Sequence, residues 1–456
     1  MNSNSFWIGF VLSLGLLSAC SKTGHDDDCL DWPEIRIVKV ADHVSRMGSA
    51  YIDCNKIIRS GDYFYFVYLS ENYEVVIRGI GQKDGVLTAP YVIGKATDNH
   101  GSPCVATDAE GYIYVMYDGH CDEIKLVRSR APEDISDWST ETSIVFQGRQ
   151  LTYPVMNIQN GKIFVLLRSA PHGGEEGNLL TLCTKDITGK RWMYIDLFKG
   201  NHDQWKANED FKIWVNGYSR FYANMVISNN RIHVGFQCQE YLPQSVRDNL
   251  VISAYCLGYL CSEDWGVTWK TSGGKILEHL PAIPGEIDLI AGSKDAVVSP
   301  DYQAVNLVVH HDIPVFCYAV KYDLYTDLFI ASLVNGVWIK EKIDYGNGIC
   351  GKLGESECSF SIDDEGNRQL LIPMVNEKDF SNKVYGGNST VLRCLLLNEV
   401  NEPIADSIWN RLQPSWLPNF GKADGVRNVF LFTKGNQVLQ GIHVQIKQVP
   451  QFLRQK

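Results

Sequence analysis

Short clusters of turn-forming residues alternate along the chain with runs in which apolar and polar positions alternate. Three clear copies of this pattern are Ser60–Tyr68, Asp108–Tyr117 and Gln159–Val165. Alternation with a period of two, in runs rich in aromatic and β-branched residues, predicts half-buried antiparallel strands joined by tight turns. Four weaker copies of the same turn-and-strand pattern begin at Asn229, His311, Asp364 and Asp424.

The seven copies recur at intervals typical of one repeated structural unit. The residues that mark the turns are Gly61, Gly111, Gly161, Asn230, Asp312, Gly366 and Gly425, and the intervals between them are 50, 50, 69, 82, 54 and 59 residues. Four short strands with their turns occupy about 40 to 50 residues. No segment carries a long 3.6-residue apolar stripe. The pattern therefore predicts an all-β fold, a seven-bladed β-propeller of four-stranded antiparallel blades.

The segment Ser262–Trp269 matches the Asp-box motif, Ser-x-Asp-x-Gly-x-x-Trp, of sialidase-like BNR-repeat propellers. In this motif an aspartate closes a hairpin turn through backbone N–H groups, a glycine takes a positive φ and a tryptophan packs between strands. We therefore expect Asp264 to be structural, which removes it from the candidates for catalysis.

The composition is that of a folded protein with an acidic surface. Of 456 residues, 45% are hydrophobic and 21% are charged, and 42 basic against 53 acidic side chains give a formal charge of −11. An acidic surface lacks the field that attracts phosphate backbones, so we expect no nucleic-acid partner. A polyanionic substrate would require positive charge concentrated in one cleft.

The one long apolar run, Phe6–Ala19, is too short to span a bilayer and is typical of a secretion signal. Leu17-Ser18-Ala19-Cys20 resembles a bacterial lipobox, and the acidic segment after it resembles the tethers of surface lipoproteins in Bacteroidetes. We therefore predict a signal peptide at residues 1–19, a lipidated tether at 20–30 and a single propeller at 31–456. The expected partner is a membrane, contacted through a lipid at Cys20. The expected location is the outer membrane, facing the cell surface or the periplasm.

Twelve cysteines follow Cys20, in a compartment where disulfides are possible. None has Cys-x-x-Cys metal spacing, and the sequence does not fix their pairing. Two close pairs could bridge, Cys256 with Cys261 and Cys350 with Cys358. Three others lie in apolar, strand-like runs where buried free thiols are expected, namely Cys183, Cys238 and Cys317.

The densest polar cluster opens the second repeat, where Asn99 and His100 are followed 20 residues later by His120. The ends of an antiparallel hairpin return to the same edge, so both histidines can face one pocket. Tyr153 opens the third repeat, and Arg168 ends its second strand 15 residues later. The same geometry places Tyr153 and Arg168 together, one blade away. Three further candidates precede the strand of the fourth repeat, namely Tyr218, Arg220 and Tyr222.

At these residues the chain resembles the BNR-repeat lyases of bacterial polysaccharide utilisation, which include ulvan lyases and related rhamnosyl-glucuronate lyases. The resemblance extends over much of residues 90–270. It implies a seven-bladed propeller and β-elimination at a uronic acid, with His100 and His120 as a histidine pair and Tyr153 and Arg168 as the pair on the next blade. Tyr222 is the implied contact from the third blade, a role for which Tyr218 and Arg220 compete.

The chemistry of β-elimination requires these residue types. Removing the C5 proton of a uronate builds charge on its carboxylate, which Arg168 can meet with His120 and Asn99 as further donors. We assign His100 as the base and Tyr153 as the acid for the O4 leaving group, although tyrosine and histidine could exchange these roles. Arg220 and Tyr222 are assigned to substrate binding. We expect no metal and no other cofactor, since Arg168 supplies the positive charge.

The sequence thus favours a secreted lyase that cleaves a 4-linked uronic acid in an acidic polysaccharide or oligosaccharide. A rhamnose–glucuronate linkage, in an ulvan-like or gum-like polymer, is the specific expectation. One alternative is an exo-α-L-rhamnosidase on the same fold, and another is a non-catalytic propeller that binds surface glycans. A sialidase is disfavoured because the sequence offers neither an arginine triad nor a convincing Tyr–Glu nucleophile pair.

Overall fold

The protein is all-β throughout the part of the chain that the structure describes. The computed structural model describes residues 34–45, 48–49, 54–144, 146, 148–171, 178–200, 219–243, 250–295, 300–322, 325–345, 349–350, 358–375, 391–409, 419–420, 429–434 and 438–445. These residues form seven antiparallel sheets, which we call blades 1 to 7. A single 3₁₀ turn at Pro284–Glu286 is the one helical element in these ranges, and no helix there is long and apolar enough to cross a membrane.

Within each blade the strands are named in order from the ring axis outward. Blade 1 contains β2 (Ile57–Ser60), β3 (Tyr63–Leu69), β4 (Glu74–Gly81) and β5 (Tyr91–Lys95). Blade 2 contains β6 (Cys104–Thr107), β7 (Ile113–Asp118), β9 (Ile124–Arg128) and β10 (Thr142–Ile144). Blade 3 contains β8 (His120–Asp122), β11 (Arg149–Gln159), β12 (Lys162–Pro171), β13 (Leu179–Asp186) and β14 (Met193–Lys199). Blade 4 contains β15 (Ser219–Ser228), β16 (Arg231–Pro243), β17 (Leu250–Ser262) and β18 (Leu289–Gly292).

The last three blades complete the ring. Blade 5 contains β19 (Asp301–His310), β20 (Ile313–Lys321), β21 (Thr326–Val334) and β22 (Val337–Ile343). Blade 6 contains β23 (Ile349–Cys350), β24 (Ser359–Ile362), β25 (Arg368–Val375), β26 (Val391–Leu397) and β27 (Pro403–Trp409). Blade 7 contains β28 (Asn419–Phe420), β29 (Val429–Lys434), β30 (Val438–Gln445) and β1 (Glu34–Ala41).

The prediction of seven blades is confirmed, but the prediction of four strands in each holds for five of them. Blades 3 and 6 have five strands. The extra strand of blade 3 is β8, which is supplied by a connection within blade 2. In blade 6 the inner position is divided between β23 and β24, both of which pair with β25.

The turn residues that defined the sequence repeat join the first two strands of successive blades. Six of the seven markers have φ between +54° and +87°, namely Gly61, Gly111, Gly161, Asn230, Asp312 and Gly366. Tight hairpin turns need such angles, which glycine, asparagine and aspartate adopt most readily. The seventh marker, Gly425, falls between β28 and β29 and lies outside the described ranges.

Apolar side chains join neighbouring blades into a closed ring. The strands closest to the axis lack strict alternation, and all six residues of β7, the second strand of blade 2, are buried, because both faces of a blade pack against other blades. Buried clusters connect blades 1 and 2, 2 and 3, 3 and 4, 4 and 5, and 5 and 6. Strands β24 and β28 make contact between blades 6 and 7. A further cluster connects blade 7 to blade 1 and so closes the ring.

The ring is also closed by hydrogen bonding, because the first strand of the described residues completes the last of their blades. Strand β1 pairs with β30 in a register that runs from Glu34↔Gln445 to Ala41↔Leu439. We call the face at which the inner strands begin the upper face. Because neighbouring strands alternate in direction, the fourth strand of each blade begins at the lower face and ends at the upper face.

The Asp-box forms the turn that the sequence predicts. Asp264 Oδ1 accepts hydrogen bonds from the backbone N–H groups of Val267 (3.1 Å) and Thr268 (2.8 Å). Gly266 has φ +94°, and Trp269 is completely buried. These hydrogen bonds outweigh the opposing effect of burial and hold the pKa of the Asp264 carboxyl below its usual value. Asp264 therefore serves the turn, which agrees with its exclusion as a catalytic candidate.

The cysteines follow the sequence analysis only in part. Cys183, Cys238 and Cys317 are completely buried, as predicted. Cys256 and Cys261 lie on the same strand, β17, five residues apart. Five residues of strand span about 16 Å, well beyond the roughly 7 Å limit between the Cα atoms of a disulfide, so the suggested Cys256–Cys261 bridge is wrong.

A buried histidine in blade 4 should make the stability of the fold depend on pH. Burial, together with nearby Arg231, lowers the pKa of His233 to about 4, and His233 Nδ1 lies 2.6 Å from Tyr259 Oη. The unfolded chain binds this proton at about pH 6.5, so the stabilising effect is present above that pH and is lost as the pH falls toward 4. We expect the free energy of unfolding to decrease by about 3 kcal/mol over this interval.

Chemical denaturation of the wild type and of His233→Gln at several pH values measures this dependence. The variant should show a flatter profile between pH 6.5 and 4, whatever its absolute stability. His311→Gln, at an exposed turn of blade 5, is the matched control and should keep the wild-type slope. If the free energy of unfolding of the wild type and of His233→Gln depended on pH in the same way, His233 would not be the source of the dependence.

Candidate active site

The loop that carries Asn99 and His100 connects the outer strand of blade 1 to the inner strand of blade 2 at the upper face. Asp98 Oδ1 accepts the backbone N–H of His100 at 2.7 Å, a local turn that fixes the backbone of the histidine. The amine of Lys56, which is completely buried, donates to the carbonyl of Pro103 at 2.5 Å and also contacts the Ser102 hydroxyl. The loop is therefore held at both ends.

The turn before His120 has two successive residues in the left-handed region, Asp118 with φ +68° and Gly119 with φ +78°. A Cβ at position 119 would lie 2.4 Å from Ile124 Cγ1, so only glycine fits there. The buried carboxylate of Asp118 accepts the Thr97 backbone N–H at 3.1 Å and lies 3.1 Å from the Thr97 hydroxyl. Asp118 thereby ties the turn of His120 to the loop of His100.

The two histidines form a stacked pair, with ring centroids 4.1 Å apart and ring planes 21° apart. Asp98 lies beside both rings, with Oδ2 at 2.6 Å from His120 Nδ1 and Oδ1 at 3.6 Å from His100 Nδ1. Burial acts to raise the pKa of Asp98, but the hydrogen bonds from His120 and from the His100 backbone outweigh it and lower that pKa.

Strand β8 connects this pair to blade 3. Thr152 on β11 pairs with His120 on β8 at one side and with Arg168 on β12 at the other. Adjacent strands lie about 4.8 Å apart, so the Cα atoms of His120 and Arg168 are separated by about 10 Å. The hairpin spacing predicts that His120 ends a hairpin of blade 2. Its place in the sheet of blade 3 corrects that expectation and explains how the two candidate pairs come together.

Tyr153 and Arg168 lie together, as the hairpin spacing predicts. The register of β11 shifts between Thr152 and Val155, and Tyr153 has φ +57°. A β-bulge of this kind redirects a side chain, and a positive φ at a bulky residue is common at functional sites. The Arg168 guanidinium lies 4.9 Å from the centre of the Tyr153 ring.

Tyr222 contributes a third blade to the cluster. Its ring lies 6.0 Å from that of Tyr153 with 22° between the planes. Tyr153, Arg168 and Tyr222 are 4%, 5% and 2% exposed, whereas the side chains of His100 and His120 are about a third exposed, at 32% and 33%. Solvent therefore reaches the histidines directly, while the arginine and tyrosines lie in surroundings that strengthen electrostatic interactions.

The remaining candidates are partly described. Asn99 lies beside His100 in the same loop and is partly exposed. Arg220 lies on β15 opposite Gln239, and only its backbone is described, while Tyr218 and Cys20 lie outside the described ranges. Asp98 opens the polar cluster in the sequence but has no role among the sequence-based candidates, although an aspartate two residues before a histidine is a recognisable turn signal.

One cluster within the described ranges has the donors for a metal ion. Ligand atoms of Asp98, His100 and His120 all lie within 4.8 Å of one another. Two of these side chains, His100 and His120, are also the histidine pair that the sequence analysis expects to take part in the reaction. Metal binding and proton transfer would therefore use the same atoms.

The fold and the site define a seven-bladed propeller with a His–His–Tyr–Arg cluster on the loop into blade 2 and on blade 3, joined by Tyr222 from blade 4. Residues 63–305 match the model described as BNR repeat-containing family member. This match covers more than half of the chain, and the protein belongs to the BNR repeat-containing family.

Two curated relatives are similar over a shorter stretch. The chain is 31% identical over 112 residues to "Ulvan Lyase-PL25" of Pseudoalteromonas sp. (strain PLSV), which is 21% of each protein. It is 30% identical over 109 residues to "Ulvan lyase" of Alteromonas sp. (strain LOR), which is 20% of each. The match thus spans about a fifth of the length of these relatives.

A solved structure shares the whole fold. A PL25 ulvan lyase bound to -[GlcA(1-4)Rha3S]- superposes with a TM-score of 0.68 at 14% identity, over 90% of this chain and 96% of that one. At this identity the similarity demonstrates the common propeller and nothing more specific.

Proposed function

We propose that the protein is a polysaccharide lyase that cleaves a 4-linked uronic acid by β-elimination. The observation that carries this proposal is the row formed by His120, Thr152 and Arg168 across three strands, with Tyr153 beside it and His100 stacked on its end. Together these residues supply a guanidinium that can bind a substrate carboxylate, and imidazole and phenol groups that can transfer protons. The curated relatives carry the name ulvan lyase, which agrees with this chemistry.

In the proposed reaction the C5–H bond of the uronate breaks first, and the proton passes to the neutral imidazole of His100. The carboxylate takes up the developing charge, which Arg168 stabilises with His120 and Asn99 as further donors. The electron pair then forms the C4–C5 double bond as the C4–O4 bond breaks. The Tyr153 hydroxyl donates its proton to the departing O4. No water is consumed.

Asp98 adds a positioning role to this assignment. Its contact at 2.6 Å keeps the Nδ1 side of His120 occupied and leaves Nε2 for the substrate. Its hydrogen bond to the His100 backbone sets the position of the proposed base. The carboxylate thus orients both imidazoles without contacting the sugar.

The proposed linkage is rhamnose–glucuronate in an ulvan-like or gum-like polymer. Two observations support it, namely the names of the curated relatives and the GlcA(1-4)Rha3S ligand of a solved lyase with the same fold. We assign Tyr222 and Arg220 to binding the sugars next to the cleaved bond. We also propose that the chain is exported with the signal of residues 1–19 and anchored in the outer membrane through Cys20.

The small number of carboxylates at the site favours a lyase over a rhamnosidase. Glycoside hydrolysis generally uses two carboxyl groups on either side of the scissile bond. Among the described side chains, Asp98 is the carboxylate that contacts the histidine pair, and it is engaged by His120 and the His100 backbone, while the nearby Asp118 carboxylate is engaged by Thr97 and Lys125. A purely glycan-binding propeller would need neither the acid nor the base.

Ultraviolet absorbance during incubation of the purified protein with ulvan, and with a glucuronate-capped gum, tests the proposal. β-Elimination leaves a C4–C5 double bond conjugated to the carboxylate, so we expect the absorbance to rise with time. Release of rhamnose without such a rise would replace the lyase with a glycosidase. Binding of either polymer with neither signal would replace it with a glycan-binding propeller.

A further inference from the structure

The Asp98, His100 and His120 side chains present three metal-ligating groups around one point at the upper face. Their donor atoms lie within 4.8 Å of one another. His120 Nδ1 lies 2.6 Å from Asp98 Oδ2, and His100 Nδ1 lies 3.6 Å from the other carboxylate oxygen, Asp98 Oδ1. In a tetrahedral zinc site, ligands about 2.0 to 2.1 Å from the ion are about 3.3 Å apart. The observed distances bracket that value, so modest side-chain movements would bring all three donors to coordination distance.

The donor types restrict the kind of ion. Two imidazole nitrogens and one carboxylate oxygen suit zinc and other divalent transition metals, whereas calcium and magnesium take oxygen ligands. Three protein ligands leave a fourth position open. The side chains of the two histidines are about a third exposed, so an ion can enter from solvent.

We propose that Asp98, His100 and His120 form a binding site for a divalent transition-metal ion, and that an ion bound there excludes His100 from proton transfer. A neutral imidazole has one nitrogen lone pair, and coordination uses it while the other nitrogen carries the proton. An imidazole in this state cannot accept the C5 proton. The second half of this proposal rests on the proposed lyase function, whereas the binding site stands independently of it.

Isothermal titration calorimetry of the chelator-treated protein with zinc chloride tests the site without any substrate. We expect one equivalent to bind in the wild type. In Asp98→Asn and His120→Gln that binding should weaken by at least about 10- to 100-fold, the loss seen when weaker, outer contacts of a metal site are removed. His311→Gln, which changes an exposed histidine of blade 5 next to another histidine, is the matched control and should bind as the wild type does.

Equal heats in all four proteins, or no binding in the wild type, would overturn the site. Equal affinity for magnesium chloride would overturn the assignment to transition metals. Thermal melting of each variant, together with the third ligand variant His100→Gln, separates loss of a ligand from loss of the fold.

The second half of the proposal is measured by lyase rates at increasing zinc chloride. The zinc concentration that halves the rate should equal the calorimetric dissociation constant. Full activity at saturating zinc would show that a bound ion does not prevent proton transfer. If the protein has no lyase activity, the calorimetric comparison still decides the site, so failure of the proposed function and failure of the metal site are distinguishable.

Discussion

Replacing Tyr153 with Phe is expected to lower kcat by about 10²- to 10⁴-fold, the contribution typical of a positioned general acid or base. The substitution removes the hydroxyl that protonates O4 in the proposed reaction. It retains the ring that stacks on Tyr222 and lies against the Arg168 guanidinium. Initial rates of double-bond formation with ulvan, together with the melting temperature, measure the effect.

Tyr222→Phe is the control that shows whether the loss of kcat is specific to the Tyr153 hydroxyl. Tyr222 is 2% exposed, and its ring belongs to the same stack, so this variant also removes one buried hydroxyl from the cluster. Because we assign Tyr222 to binding, its loss should appear mainly in KM. Near-wild-type kcat in Tyr153→Phe, or an equal loss of kcat in both variants, would exclude Tyr153 as the acid.

Arg168→Lys is expected to reduce kcat by about 10²- to 10³-fold, and Arg168→Ala by more, because in the proposed reaction the guanidinium stabilises the charge that develops on the substrate carboxylate. Lysine keeps the positive charge but lacks the planar fork that binds a carboxylate with two parallel hydrogen bonds. Substrate binding should weaken along with turnover, since the carboxylate is charged before the reaction begins. Steady-state kinetics and equilibrium binding of ulvan oligosaccharides measure the two losses.

A matched control for Arg168 lies in the same pair of strands. Arg149 on β11 binds the carboxylate of Asp196 with two hydrogen bonds, at 2.6 and 2.9 Å. Arg149→Lys therefore disturbs an ion pair of blade 3 and should affect stability more than kcat. Comparable losses of kcat in Arg149→Lys and Arg168→Lys would show that Arg168 acts through the stability of blade 3.

The sequence was most informative where the backbone itself imposes a residue type. Hairpin turns with positive φ require residues such as Gly61 or Asn230, so their spacing gave the number of blades. The alternation of apolar residues set the strands between them. The hairpin length predicts Arg168 close to Tyr153, and the register places Arg168 opposite the adjacent Thr152, with its guanidinium over the Tyr153 ring.

The remaining part of the site depends on interactions that have no local pattern. The pairing of β8 with β11 joins residues about 30 positions apart, and no periodicity indicates that a three-residue strand will leave its own blade. The same is true of the contact of Lys56 with Pro103. The bulge at Tyr153 did leave a local sign, because Pro154 cannot donate to a ladder hydrogen bond and such residues often accompany bulges.

The closure of the ring by β1 determines how a tethered protein would face its surroundings. Strand β1 is the fourth strand of blade 7, so Glu34 lies at the lower face, and the eight residues of the strand rise about 26 Å toward the upper face. A chain anchored through Cys20 would leave the ring from the lower face. The histidine pair would then point away from the membrane, toward polymers that arrive from outside.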